Sequence, residues 1–300
     1  MKTALITGCS KGIGYETALA FALAGYQVFA TMRNPAASTL PQKVQEGNLP
    51  IVIRAMDVDS DTSVSKVLGD ILKENGQLDV LVNNAGIERH GSVEEMKLSD
   101  FQAIMETNYF GALRCIKAVL PSMRENRNGC IVNIASVAGH ISSSPLGGYS
   151  ASKFALEAVS EALAQEVKSF NIRVAIVEPG IINTQMARDI REPGASIYPH
   201  SRRFGGLFAA SLKTPASPDL VAQQILTIAE SDSWKLRYPV GPDAEPFLAW
   251  RAAMSDEEWI AWNAADDKTW YAAVERDFGL NARSEQTRQK LNTIEPSETI

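Results

Sequence analysis

The sequence predicts an α/β domain built on a doubly wound parallel sheet. Three observations carry this. Strand-like and helix-like segments alternate from the first residues, the strand-like segments are short continuous apolar runs, and a glycine-rich turn follows the first of them. Continuous apolar runs are what strands need when helices cover both faces of a parallel sheet.

Ala4-Leu5-Ile6 reads as a short buried strand. After the glycine-rich turn a helix runs through Ala18, Leu19, Ala22 and Leu23 and stops at Gly25. Val28-Phe29-Ala30 and Ile51-Val52-Ile53 are the second and third strands. Val64, Val67, Leu68, Ile71 and Leu72 recur at helical spacing up to Gly76, and Val80-Leu81-Val82 is the fourth strand. A long helix is expected from a Ser99 cap towards Pro121. Ile131-Val132-Asn133-Ile134 is then the fifth strand, a helix runs from about Tyr149 to Lys168, and Val174-Ala175-Ile176-Val177 is the sixth strand. The pattern loosens after Pro179, and residues 183–217 show little periodicity. A helix from roughly Asp219 to Ala229 and an edge strand over residues 236–241, where Pro239 is tolerable, complete the sheet. This places one domain over residues 1–245, with a loop at about 185–217, and an extension over 246–300. Trp250, Trp259, Trp262 and Trp270 fall in that extension, which is expected either to cover apolar surface between subunits or beside a cleft, or to pack against the core of its own subunit. Its polar end, from Ser284, is expected to be mobile.

Composition narrows the functional classes. The balance of 45% hydrophobic and 21% charged residues is that of an ordinary globular protein, and 300 residues bury a core without staples. A net charge of -6 argues against a nucleic-acid or anionic-membrane partner. Cys9, Cys115 and Cys130 make no disulfide framework and read as small core fillers in a reducing compartment. The apolar run after Met1-Lys2-Thr3 is too short for an export signal, and no stretch reaches the length of a membrane span, so the expected location is the cytoplasm.

Thr7-Gly8-Cys9-Ser10-Lys11-Gly12-Ile13-Gly14 joins the first strand to the first helix. Glycine permits a tight turn and close approach to a pyrophosphate, and the helix N-terminus beyond it offers free N–H groups and partial positive charge. Any sharp turn can use glycine, so the position between first strand and first helix is what points to a dinucleotide. Three residues separate the first two glycines, and this TGxxxGxG spacing resembles the cofactor loop of the short-chain dehydrogenase/reductase superfamily. Asp57-Val58, Asn83-Asn84-Ala85-Gly86 and Pro179-Gly180-Ile181-Ile182-Asn183-Thr184 match further motifs of that family in order and spacing, over roughly residues 1–245.

The resemblance implies a Rossmann-type fold and a nicotinamide cofactor. Gly8, Ser10, Lys11, Gly12, Ile13 and Gly14 would form its phosphate turn, and Asp57 and Val58 would meet the adenine. Asn84, Ala85 and Gly86 would line its path, as would Pro179 and Gly180. The backbone near Ile182 and the hydroxyl of Thr184 would hold the carboxamide. An acidic side chain at the end of the second strand would bind both ribose hydroxyls and repel a 2′-phosphate. Met32 holds that place here, Arg33 follows it, and Lys11 comes from the turn. Either cation alone reads as a solvated surface charge, but together, without the acid, they predict NADP(H).

Tyr149 and Lys153 stand four apart on a predicted helix and so share one face. With Ser136 at the end of the fifth strand and Asn108 in the long helix, they match the family's tetrad. Carbonyl reduction needs a proton on oxygen as hydride reaches carbon. Tyr149 is therefore the acid/base, Lys153 lowers its pKa and binds ribose, and Ser136 polarises the substrate oxygen. Asn108 is expected to hold a water and a backbone kink that connect Lys153 to solvent. His90, His140 and His200 make no metal-ligand pair at useful spacing, so no metal is expected, and His140 could face substrate or be a plain loop residue.

The function expected is transfer of a hydride between NADP(H) and a ketone, aldehyde or secondary alcohol. An epimerase or dehydratase of the related extended group, and a non-catalytic NADP(H)-sensing scaffold, are the competing readings. The segments Ala30-Thr31-Met32-Arg33-Asn34-Pro35 and Arg237-Tyr238-Pro239-Val240-Gly241-Pro242-Asp243-Ala244 resemble the branch holding 17β-hydroxysteroid and retinol dehydrogenases, which implies a fairly apolar substrate. Met186, Ile190, Phe204, Leu207 and Phe208 could form a lid for it. Relatives of this size are often homo-dimers or tetramers built by pairing the long fourth and fifth helices, so an oligomer is expected.

Overall fold

The computed structural model describes residues 1–190 and 195–283. β1 (Thr3–Thr7) is buried at every position and feeds α1 (Gly12–Leu23) through the glycine turn. On one side of β1 follow β2 (Gln27–Met32), α2 (Leu40–Gly47), β3 (Ile51–Ala55) and α3 (Asp61–Asn75). On the other come β4 (Val80–Asn83), α4 (Leu98–Met105), α5 (Gly111–Asn126), β5 (Gly129–Ile134), α6 (Gly147–Val167) and β6 (Ile172–Pro179). Then α7 (Gln185–Ile190), α8 (His200–Ser211) and α9 (Pro218–Glu230) lead to β7 (Arg237–Val240). Finally α10 (Ala244–Ala252), α11 (Asp256–Ala264) and α12 (Asp267–Phe278) form the extension.

The seven described strands pair in parallel in the order β3-β2-β1-β4-β5-β6-β7. Strand order reverses between β1 and β4, which opens a crevice beyond their carboxyl ends. Alternate residues of each strand face opposite cores. Ile6, Val28, Val82 and Val132 pack with Phe21 of α1 and Val221 and Ile225 of α9. Leu5, Phe29, Leu81 and Ile131 pack with Leu68 of α3, Val119 of α5 and Leu163 of α6. Both faces are covered, which is why the strands read as unbroken apolar runs. All three cysteines are buried and unpaired, and burial pushes their thiols upward, Cys115 to about 12 and Cys130 to about 11.

Several boundaries differ from expectation. Ser99 is not the cap of the long helix. Lys97 holds that place, and its carbonyl accepts from the N–H groups of Asp100 and Phe101. The helix also passes through Pro121 and ends at Asn126. An interior proline costs about 3 kcal/mol. Burial of Met123, Val119 and Ile116 along the same face offsets it, at about 1.5–3 kcal/mol per fully buried side chain. The aperiodic stretch after Asn183 contains α7 and α8. The buried positions of α8 are Ser201, Arg203, Gly205 and Ala210, so no apolar periodicity marks it. The expected mobile end from Ser284 lies outside the described residues, as do positions 191–194 of the expected loop.

Candidate active site

Gly8 and Gly12 have φ of 73° and 65°, the left-handed region that the turn at the end of β1 requires. The turn is locked to the segment after β4. The Asn84 side-chain amide donates to Thr7 O at 2.8 Å, and Thr7 Oγ1 accepts from the N–H groups of Asn84 and Ala85. The N-cap of α1, Lys11, makes no side-chain capping bond, and no acidic residue lies in the first turn. Its N–H groups can therefore serve an anion. Met32 is buried at the end of β2, while Arg33 and Lys11 are exposed and pair with no carboxylate among the described residues. These features fit a phosphorylated dinucleotide.

One cavity of about 560 Å³ runs from this turn to the extension. Gly8, Ser10, Lys11, Gly12 and Ile13 line its first end, with Arg33, Asp57 and Val58 beside them. Asn84, Ala85, Gly86, Pro179, Gly180, Ile182 and Thr184 line its middle, with Ser136, Tyr149 and Lys153. Gly14 and Asn108 stand behind the wall. A Cβ on Gly14 would come within 2.6 Å of Gly8 O, so its role is the close packing of the turn. Asn108 lies in a π-helical turn, Glu106–Phe110, that joins α4 to α5. Its side-chain oxygen accepts from the Ile87 N–H at 2.8 Å, and its amide donates to Ile87 O at 2.9 Å and to Ser152 Oγ at 3.0 Å.

Ser136 lies two residues beyond β5, where its Oγ accepts from Ala138 N–H and donates to Pro179 O at 3.4 Å. Lys153 Nζ donates to Ile134 O at 2.7 Å and lies 5.6 Å from the centroid of the Tyr149 ring. Burial pushes the Tyr149 phenol well above its ordinary value, the Glu88 carboxylate adds to the rise, and a hydrogen bond with Ser136 works against it. Burial also pulls Lys153 down to about 8, opposed by Glu157. The expected lowering of the phenol by Lys153 is thus not what this arrangement shows. Burial is the largest influence on the phenol, and the Lys153 ammonium donates to a backbone carbonyl.

His140 does not face the cavity. Its Nε2 lies 2.7 Å from Glu178 Oε1 and 3.7 Å from Glu157 Oε2, two buried carboxylates that raise it to about 9. These three could ligate a metal ion by spacing, but the Arg237 guanidinium sits 3.0 Å from Glu157 and supplies the countercharge.

Sequence reasoning missed two carboxylates. Asp243 Oδ2 accepts from Ile181 N–H at 2.9 Å and so fixes the loop after β6. Glu88 lines the cavity two residues beyond Gly86. Nothing in the spacing marks Glu88, and Asp243 stood only within the branch-like segment at residues 237–244, with no role attached to it. The remote end of the cavity is aromatic. Phe204, Leu207 and Phe208 of α8 face Trp250, Trp259, Trp262 and Trp270 of the extension. The buried Arg203 ties the two together by donating to Asp267 Oδ1 at 2.8 Å and to Ala265 O at 2.7 Å, and Trp259 Nε1 donates to Ser142 O.

A model of the short chain dehydrogenase family matches residues 2–194. The chain belongs to the short-chain dehydrogenase family. This short-chain dehydrogenase is 36% identical over 267 residues to retinol dehydrogenase 8 of Bos taurus, across 84% of this chain and 85% of the relative. It is 41% identical over 180 residues to a 3-ketodihydrosphingosine reductase of Bacteroides thetaiotaomicron, across 60% of this chain and 64% of that protein. A short-chain dehydrogenase from Streptomyces avermitilis shares its structure with a TM-score of 0.76 at 33% identity, over 87% of this chain and 96% of that one. The similarity to retinol dehydrogenase 8 puts this short-chain dehydrogenase in the retinol dehydrogenase-like branch. It is an oxidoreductase that uses a nicotinamide cofactor on a small-molecule substrate. No described helix is long and apolar enough to cross a membrane.

Proposed function

We propose that this short-chain dehydrogenase is an NADP(H)-dependent oxidoreductase acting on a ketone or aldehyde, or in reverse on a secondary alcohol, with a bulky apolar body. The observation that carries the reading is one continuous cavity. Arg33 and Lys11, unpaired among the described residues, stand beside the glycine turn at one end, Ser136, Tyr149 and Lys153 in the middle, and an aromatic chamber at the other. Relatives described as a retinol dehydrogenase and a 3-ketodihydrosphingosine reductase are in keeping with it.

The glycine turn and the α1 N-terminus would hold the pyrophosphate, Asp57 and Val58 the adenine, and Arg33 and Lys11 the 2′-phosphate. Ile182 and Thr184 would hold the carboxamide, in a loop that Asp243 steadies. The nicotinamide, when bound, supplies or accepts the hydride. Tyr149 Oη gives its proton to the carbonyl oxygen. Ser136 turns its hydroxyl from the long contact with Pro179 O to the substrate oxygen. Lys153 binds ribose and stabilises the phenolate that forms. Asn108 acts as a positioning residue through the Ile87 backbone. Steroid, aromatic, aliphatic and sugar ketones, each tried with NADPH and with NADH, test this. NADPH oxidation strongest with bulky apolar ketones is expected, and equal use of NADH or preference for sugars would refute it.

A further inference from the structure

The loop after β6 meets the middle of the cavity, which Gly180, Ile181, Ile182 and Thr184 line. Three of its N–H groups are held by backbone carbonyls. Gly180 donates to Val240 O at 2.9 Å, Asn183 to Ala216 O at 2.9 Å and Thr184 to Ile182 O at 2.7 Å. The N–H of Ile181 is held by a side chain instead, Asp243 Oδ2 at 2.9 Å, from 62 positions further along the chain. Asp243 is the N-cap of α10, where an aspartate ordinarily accepts from its own helix, yet it makes no such capping bond. Its carboxylate crosses to the loop. Space is cleared for it there: a Cβ on Gly180 would stand 2.1 Å from Asp243 Oδ1 and 2.7 Å from its Cγ. The carboxylate thus takes the place that a side chain at position 180 would need.

Resting on the reading that Ile182 and Thr184 hold the carboxamide, we propose that Asp243 is a positioning residue for the nicotinamide half of the cofactor, through which the C-terminal extension sets the loop that grips it. Ile182 follows directly on the residue that Asp243 holds, and Thr184 is two positions beyond that. Of the four bonds that fix the loop, the one at Ile181 is made by a side chain, and a carboxylate acceptor makes a stronger bond than a carbonyl. Without it the Ile181 N–H must find another partner, which turns the peptide planes on either side of it. The adenine half is held elsewhere, by the glycine turn beyond β1 and by Asp57 and Val58 beyond β3, so its grip does not depend on Asp243. The extension is therefore more than a wall of the substrate chamber. α10 presents Phe247 and Trp250 to that chamber while its first turn fixes the nicotinamide loop, so one nine-residue helix sets the apolar body of the substrate against the carbon that transfers hydride.

The test is calorimetric titration of the full chain with NADP⁺ and with 2′-phospho-ADP-ribose, the same cofactor without its nicotinamide. Wild type, Asp243→Ala and Asp243→Asn are compared. The wild type is expected to bind NADP⁺ more tightly than the fragment. Asp243→Ala should weaken NADP⁺ about tenfold or more, the loss of one charge-assisted hydrogen bond, and leave the fragment unchanged. Asp243→Asn keeps an acceptor for Ile181 and should retain most of the NADP⁺ affinity. Asp243→Ser, which preserves a capping residue at the start of α10 but cannot reach the loop, gives the same test if the alanine form does not fold. Equal losses for both ligands would show a general loosening and overturn the role of Asp243, as would unchanged NADP⁺ affinity in the alanine or serine form. Equal affinities of the two ligands in the wild type would sink the carboxamide site itself, and the role of Asp243 with it. The expected pattern of affinities in a protein that reduces no ketone would sink the oxidoreductase reading and leave Asp243 standing.

Discussion

Gly14→Ala tests whether the cofactor turn depends on atomic contact with the segment after β4. A Cβ at position 14 would stand 2.4 Å from Asn84 Nδ2 and 2.6 Å from Gly8 O, where ordinary contact begins at 3.4 Å. The second neighbour is backbone and cannot swing away. Overpacking of this kind costs about 1–3 kcal/mol, and loss of the 2.8 Å bond from Asn84 to Thr7 O adds about 1 kcal/mol. The better helix propensity of alanine returns at most about 1 kcal/mol. The net loss is about 1–3 kcal/mol, which lowers Tm by about 3–10 °C in a domain of this size. Displacement of Gly8 should also weaken cofactor binding. Gly69→Ala is the control, since Gly69 lies within α3 and a Cβ there would meet nothing within 4 Å. It should gain about 0.5–1 kcal/mol and raise Tm by about 1–4 °C. Thermal melting and cofactor titration of both variants read the effect. A Gly14→Ala protein with unchanged Tm and cofactor affinity would refute the reasoning.

Three further outcomes are expected. Arg33→Ala combined with Lys11→Ala should lower NADPH affinity at least about tenfold, the equivalent of about 1.4 kcal/mol, and leave NADH affinity unchanged; an equal loss for both cofactors in fluorescence titration would contradict this. Tyr149→Phe should abolish turnover yet bind cofactor normally, because the phenol gives a proton while the pyrophosphate is held elsewhere; near-normal turnover would remove Tyr149 from the mechanism. Glu157 and Glu178 hold His140 charged up to about pH 9, against an ordinary 6.5. The stability this contributes is full below pH 6.5 and is lost as pH rises through 9. Chemical denaturation should therefore show the wild type's advantage over His140→Gln shrinking between those values, and an advantage that is constant or growing would exclude the pairing.

The sheet and the reacting groups were legible because each was written in a local pattern. Strands covered on both faces leave unbroken apolar runs, and the glycine turn, Tyr149 and Lys153 are spaced by a single turn or helix face. Met32 and Arg33 could be placed because one residue at the end of β2 meets the ribose in this fold. What escaped was set by packing between distant segments. α8 buries Ser201, Arg203 and Gly205 against the extension, so its inward face carries no apolar signature. Glu88 and Asp243 owe their places to Asn108 and to the loop after β6, partners 20 and more than 60 positions away. The buried environment of Tyr149 and Lys153 escaped for the same reason. Sequence shows that Lys153 is near, but only the fold shows that both are desolvated and that the ammonium is engaged by Ile134 O.

Hydride transfer itself is measured most directly with NADPH deuterated on the transferring carbon, an apolar ketone, and mass spectrometry of the alcohol. The expected result is an alcohol that carries one deuterium for each NADPH consumed, formed by the wild type and not by Tyr149→Phe. An unlabelled product, or conversion of the substrate without net loss of NADPH, would contradict it.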